Sequence, residues 1–163
     1  MSFTKIWVHV VWTTKYRNVT LSDSLIDLLI NHIKYMCHDK QIDLRCINGY
    51  ADHMHALLKL RATQNLADVV KQIKGESAFW INNNKLTTNK FQWQTDYYAI
   101  TVSPGIVPVV TRYIKNQKQK HRHRVLSTFL KRGGFTAGTL AKRFTGFKPG
   151  ETVTETNENV PPV

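Results

Sequence analysis

At 163 residues the chain is the size of one domain, able to bury roughly two-thirds of its unfolded surface without disulfide staples. All 23 Lys and Arg precede Pro149, whereas three of the 11 acidic residues follow it, so residues 1–148 carry 23 − 8 = +15; such an excess points to a polyanionic partner, nucleic acid ahead of an anionic membrane. The two cysteines lack CxxC spacing and the N-terminal run is short and alternating, which argues against a disulfide scaffold, a signal peptide or a membrane span and sets the expectation of a cytoplasmic protein with reduced thiols.

In chain order, Lys5 to Trp12 alternates β-branched and aromatic residues and predicts a strand. A polar, basic loop follows, from Thr13 to Asn18. Ser22 is a plausible N-cap, and Leu25, Leu28, Leu29, Ile33 and Met36 repeat at helical spacing up to about Lys40. Ile42, Leu44 and Cys46 alternate again, Asn48-Gly49 offers a tight hairpin turn, and His53 to Leu60 makes a central strand. Its Ala56-Leu57-Leu58 run is apolar on both faces, so helices should cover one face and the histidines should occupy the other.

Leu66, Val69, Val70, Ile73, Ser77 and Trp80 predict a second helix, ended by Asn82-Asn83-Asn84, and Tyr97 to Val102 a fourth strand. The order β-α-β-β-α-β suggests an α+β, ferredoxin-like or RRM-like antiparallel sheet with two helices on one face and the other face free for binding. A third helix should start near Ser103-Pro104-Gly105, with Pro108 in its first turn, and run over about 104–132 until Gly133-Gly134. Residues 1–134 thus form one domain, and the Thr-, Gly- and Pro-rich segment 135–163 is expected to be a flexible tail.

Two motifs carry chemistry. In a strand, His53 and His55 project on one side and Met54 on the other, and on a helix Tyr113 and Gln117 share a face. Two imidazoles, an amide oxygen and a phenol at one point outline a divalent-metal site beside a nucleophile; mixed N and O ligands suit Mn²⁺, with Mg²⁺ as an alternative. A tyrosine attacking phosphorus forms a covalent phosphotyrosine that conserves bond energy for rejoining. Lys115 and Lys120 are cations that could assist Tyr113 and contact nucleic acid. Taken singly, a His-x-His pair is more often packing than a metal site; the joint pattern carries the argument. Asp52 could orient a ligand histidine, although strand alternation points it to the opposite face, and His9 reads as sheet packing or as a donor to a ligand.

Ile6-Trp7-Val8-His9-Val10-Val11-Trp12-Thr13-Thr14-Lys15-Tyr16-Arg17, Asn48 to His55, Lys74-Gly75-Glu76-Ser77 and Tyr113-Ile114-Lys115-Asn116-Gln117, in this order, resemble the landmarks of the single-tyrosine HUH transposases of the insertion sequence 200/605 family. The resemblance covers about residues 3 to 132, and Asp96 stands where a glycine is expected. It implies a homodimer that cleaves and rejoins single-stranded DNA through a 5′-phosphotyrosine. By position it assigns His53, His55 and Gln117 to the metal and Tyr113 to nucleophilic attack. It also implies recognition of hairpins near the element's ends, with Lys15, Tyr16 and Arg17 as candidate contacts, and makes a site shared between subunits feasible. Two alternatives compete: an RRM-like nucleic-acid binder without catalysis, whose histidines are structural, and a domesticated HUH nickase.

Overall fold

The computed structural model describes residues 4–117. Its elements are β1 (Ile6–Thr14), a 3₁₀ turn (Lys15–Arg17), α1 (Asp23–Asp39), β2 (Asp43–Tyr50), β3 (His53–Leu60), α2 (Leu66–Asn83), β4 (Trp93–Val102), a second 3₁₀ turn (Pro104–Ile106) and α3 (Val107–Lys115). The strands form one antiparallel sheet in the order β2-β3-β1-β4, the ferredoxin-like arrangement that the βαββαβ order predicts. Among the described residues no helix is long and apolar enough to cross a membrane.

Alternation along the two central strands gives the sheet two distinct packed faces. Val8, Val10 and Trp12 of β1 and Met54, Ala56, Leu58 and Leu60 of β3 face α1 and α2, where they pack with Leu25, Ile26, Leu29, Ile33, Val70 and Ile73. Each fully buried aliphatic side chain there contributes about 1.5–3 kcal/mol. Helix α1 begins where Ser22 Oγ accepts the Leu25 N–H at 3.2 Å, and α2 where Asn65 Oδ1 accepts the Ala67 N–H at 2.8 Å, each satisfying an amide that the first turn leaves without a partner. Ser77, polar within the core stripe of α2, accepts the indole N–H of Trp93 at 2.9 Å.

The opposite face is not free: α3 lies on it. Val107, Val110 and Ile114 pack with Cys46, Leu57 and Val102, with Trp7 and Tyr113 alongside. The cysteines are free thiols, Cys37 in the helical core and Cys46 beneath α3. Burial pushes the Cys37 thiol up to about 12, so it stays protonated and inert.

The structure moves several expected boundaries. Asn48-Gly49 is not the hairpin turn, because β2 continues to Tyr50 and the chain reverses at Ala51-Asp52. Gly49 meets a packing need instead: a Cβ there would collide with Met54 Sδ and lie 2.7 Å from the His53 carbonyl oxygen. Strand β4 starts at Trp93 rather than Tyr97, since Trp93 pairs with Thr14 beyond a register shift that local composition does not reveal. Pro108 sits in the first turn of α3 as expected; within the described residues α3 spans Val107–Lys115, with Asn116 as its C-cap and Gln117 again helical. The expected run toward residue 132 and the tail 135–163 lie outside the described residues.

Gly49→Ala should therefore lower the unfolding free energy by about 1–3 kcal/mol, the usual cost of overpacking. Urea denaturation measures this, and an unchanged midpoint would show that Met54 yields without cost.

Candidate active site

His53 and His55 emerge from β3 on the α3 side of the sheet, each 1% exposed. Their ring centroids are 5.1 Å apart with planes 76° from parallel, a spacing at which two imidazoles can share one cation with bonds of about 2.1 Å. The Tyr113 ring lies 5.8 Å from that of His55 and 6.3 Å from that of His9. Gln117, also 1% exposed, donates from Nε2 to the Tyr113 carbonyl at 3.3 Å, so Oε1 is the atom it could offer to a metal.

What places Tyr113 there is a residue that the local sequence pattern assigns to a turn. Asn48 pairs across the sheet with His55, and its Nδ2 donates to the Lys115 carbonyl at 2.8 Å. This bond ties the last turn of α3 to the strand position beside His55. The signal is absent from local sequence because Asn48 and Lys115 meet only after the sheet and α3 have packed.

Each histidine has a partner behind it. His53 Nδ1 lies 2.5 Å from Asp52 Oδ1, and Asp52 Oδ2 accepts from Arg17 Nε at 3.1 Å in an ion pair. Burial by itself pushes the Asp52 carboxyl up, but the hydrogen bond and charge of His53, together with Arg17, outweigh it and hold the group below the ordinary carboxylate value. The alternation argument that pointed Asp52 away fails because Asp52 belongs to the turn rather than to β3. That turn is pinned by the β1–α1 connection: Thr14 N–H donates to the Asp52 carbonyl at 2.9 Å, and Leu21 N–H to the Ala51 carbonyl at 3.0 Å. On the other side, His9 Nε2 lies 3.0 Å from His55 Nδ1. With both Nδ1 atoms engaged, Nε2 is the nitrogen of each ring that could bind a cation. Among the described residues no cluster of three His, Cys, Asp or Glu side chains forms a metal set; two imidazoles and an amide oxygen are donors that could hold a hard or borderline divalent ion.

The basic candidates divide. Tyr16 and Arg17 hold φ of 58° and 57°, a reversal that leaves Tyr16 77% exposed while Arg17 is committed to Asp52. Lys15 Nζ donates to Gln92 Oε1 at 3.0 Å and lies 5.4 Å from the Tyr16 ring centroid. Lys115 is exposed and two residues beyond Tyr113, a spacing that does not share a helix face. Lys120 lies outside the described residues.

Residues 2–117 match the family described as "Transposase IS200 like". The chain is 26% identical over 117 residues to the ISDra2 transposase TnpA of Deinococcus radiodurans, covering 69% of this chain and 84% of that protein. A crystal structure of a transposase from Deinococcus radiodurans R1 superposes with a TM-score of 0.56 at 27% identity, covering 71% of this chain and 93% of that one. A REP-associated tyrosine transposase bound to a REP hairpin shares the fold, with a TM-score of 0.56 at 14% identity over 74% of this chain and 72% of that one.

The Asp52 bridge makes a stability prediction. Asp52→Ala, which removes the partner of a buried imidazole, should cost about 1–3 kcal/mol in the metal-free protein, and Arg17→Ala, which removes only the outer half, about 1 kcal/mol or less. Equal costs in chemical denaturation would contradict this order.

Proposed function

The chain belongs to the IS200-like transposase family, and on that premise we propose that it cleaves and rejoins single-stranded DNA through a 5′-phosphotyrosine formed on Tyr113. The observation that carries this reading is the position of the Tyr113 ring, 5.8 Å from that of His55. His53 and His55 through Nε2 and Gln117 through Oε1 would hold Mg²⁺ or Mn²⁺. When bound, the cation supplies charge withdrawal from the phosphate and stabilises the leaving 3′ oxygen.

Tyr113 Oη loses its proton and attacks the scissile phosphorus. The bond from phosphorus to the 3′ oxygen breaks, and that oxygen takes up a proton to leave as a free 3′ hydroxyl. The DNA's 5′ phosphate is now esterified to Tyr113, and attack by another 3′ hydroxyl reverses the step and joins the strands. Energy is conserved because one phosphodiester replaces another. Enclosure of both imidazoles beside α3 favours this outcome, since water admitted to the phosphotyrosine would only hydrolyse it.

The +15 charge of residues 1–148 supplies the sequence-independent part of DNA affinity. Exposed Tyr16, with Lys15 beside it, is suited to stacking on an unpaired base; Arg17, Lys115 and Lys120 are further candidates for phosphate contact. The hairpin bound by the REP-associated relative supports a substrate with hairpins near the element's ends. A homodimer fits the same family, and a site shared between its subunits is the arrangement that the resemblance makes feasible.

Incubation with a labelled, hairpin-flanked DNA strand and Mn²⁺ should give an adduct stable to denaturation. Tyr113→Phe should abolish it, and His55→Ala should reduce it by at least about 100-fold, the upper end of what loss of a mere supporting residue costs. An adduct that survives Tyr113→Phe contradicts the assignment. In the same assay, a mixture of Tyr113→Phe with His53→Ala/His55→Ala distinguishes the two arrangements: partial recovery through heterodimers places the tyrosine in a neighbouring subunit, and no recovery keeps the site within one chain.

A further inference from the structure

We propose that His9 is a positioning residue for His55: its Nε2 accepts the hydrogen bond from His55 Nδ1 and so commits Nε2 of His55 to the cation. The inference rests on the reading of His53 and His55 as metal ligands. It starts from register. β1 pairs with β3 so that His9 stands opposite Leu57 and Val11 opposite His55, which puts His9 and His55 on one face as diagonal neighbours, within reach of long side chains. The ring nitrogens close to 3.0 Å, and the rings lie 5.2 Å apart, 18° from parallel.

An imidazole with one proton has two tautomers, and only the one protonated at Nδ1 leaves an Nε2 lone pair for a metal. His53 has its tautomer selected by Asp52, because a carboxylate can only accept. His9 is a different kind of partner, since a neutral imidazole donates from one nitrogen and accepts at the other. For His55 to bind metal through Nε2, the proton between the rings must sit on His55 Nδ1, and the proton of His9 on its own Nδ1. The two tautomers are therefore locked together. Burial supports this, since His9 is 2% exposed and an imidazole enclosed by apolar neighbours favours its uncharged form.

Packing alone does not account for the choice of residue. The neighbours of His9 across the sheet are Leu57 and Ile100, and an aliphatic side chain would suit them without the cost of burying a polar ring. The two arms of the centre thus differ in charge: His53 is backed by an anion and a guanidinium, His55 by a neutral ring. Outer partners of this kind are worth 10–100-fold in metal affinity.

The test compares the wild type with His9→Leu, which keeps bulk without an acceptor, and His9→Gln, whose Oε1 can accept near the position of Nε2. In nitrogen-resolved NMR spectra of the metal-free wild type, His55 should carry its proton on Nδ1. Mn²⁺ affinity, followed by electron paramagnetic resonance, should fall by about tenfold or more in His9→Leu and stay within about threefold of wild type in His9→Gln. Thermal melts check that each variant is folded. If His9→Leu does not fold, the wild-type tautomer and His9→Gln still decide. A proton on Nε2 of His55, wild-type affinity in His9→Leu, or an equal loss in His9→Gln would overturn the proposal. A wild type that binds no Mn²⁺ contradicts the metal reading instead, and the tautomer measurement then still rules for or against the His9 hydrogen bond.

Discussion

The organisation of this protein depends on β3 being buried on both faces while its residues alternate. Met54, Ala56, Leu58 and Leu60 are held in the helical core, so His53 and His55 have no choice but the other side, where Leu57 seats α3. A shift of one residue would send both imidazoles into the apolar core beneath α1 and α2 and turn the aliphatic set toward the α3 side. The hydrophobic effect thereby fixes the location of polar chemistry, and the site inherits the rigidity of a central strand.

Burying imidazoles at a sheet–helix junction is unfavourable unless their polar atoms are engaged. The surrounding elements meet that demand from three directions. The Ala51-Asp52 turn brings a carboxylate to His53, β1 brings His9 to His55, and Asn48 on β2 ties the end of α3 beside them. Arg17 extends the first of these to the connection after β1. These bonds hold the ring orientations, the kind of preorganisation by which a site lowers the reorganisation needed at the moment of reaction.

Much of this was legible in the sequence. The alternation of β1 and β3, the apolar stripes of α1 and α2 and the Ser22 cap follow from local periodicity and local hydrogen bonding, and the structure reproduces them closely. His53, His55 and Tyr113 are legible as candidates because strand and helix periods project their side chains predictably. The structure places those three together, with Gln117 bonded back to the Tyr113 carbonyl. What local periodicity does not show depends on tertiary packing. Asn48-Gly49 has the composition of a turn, yet Gly49 is selected by the approach of Met54 and Asn48 by the end of α3, contacts that span 5 and 67 positions. Asp52 reaches His53 because it belongs to the turn before β3, where strand alternation does not hold. The free face of the sheet was inferred from the βαββαβ order alone, which says nothing about where a further helix will settle.

The central claim is that one divalent cation sits between His53, His55 and Gln117, next to the phenol of Tyr113. Anomalous diffraction at the manganese edge from crystals grown with Mn²⁺ tests it most directly. The account predicts a single strong peak bonded to Nε2 of His53, Nε2 of His55 and Oε1 of Gln117 at roughly 2.1–2.3 Å, the range for such ligands. A peak bonded through Nδ1 of either ring, a peak elsewhere in the molecule, or none at all, would contradict it.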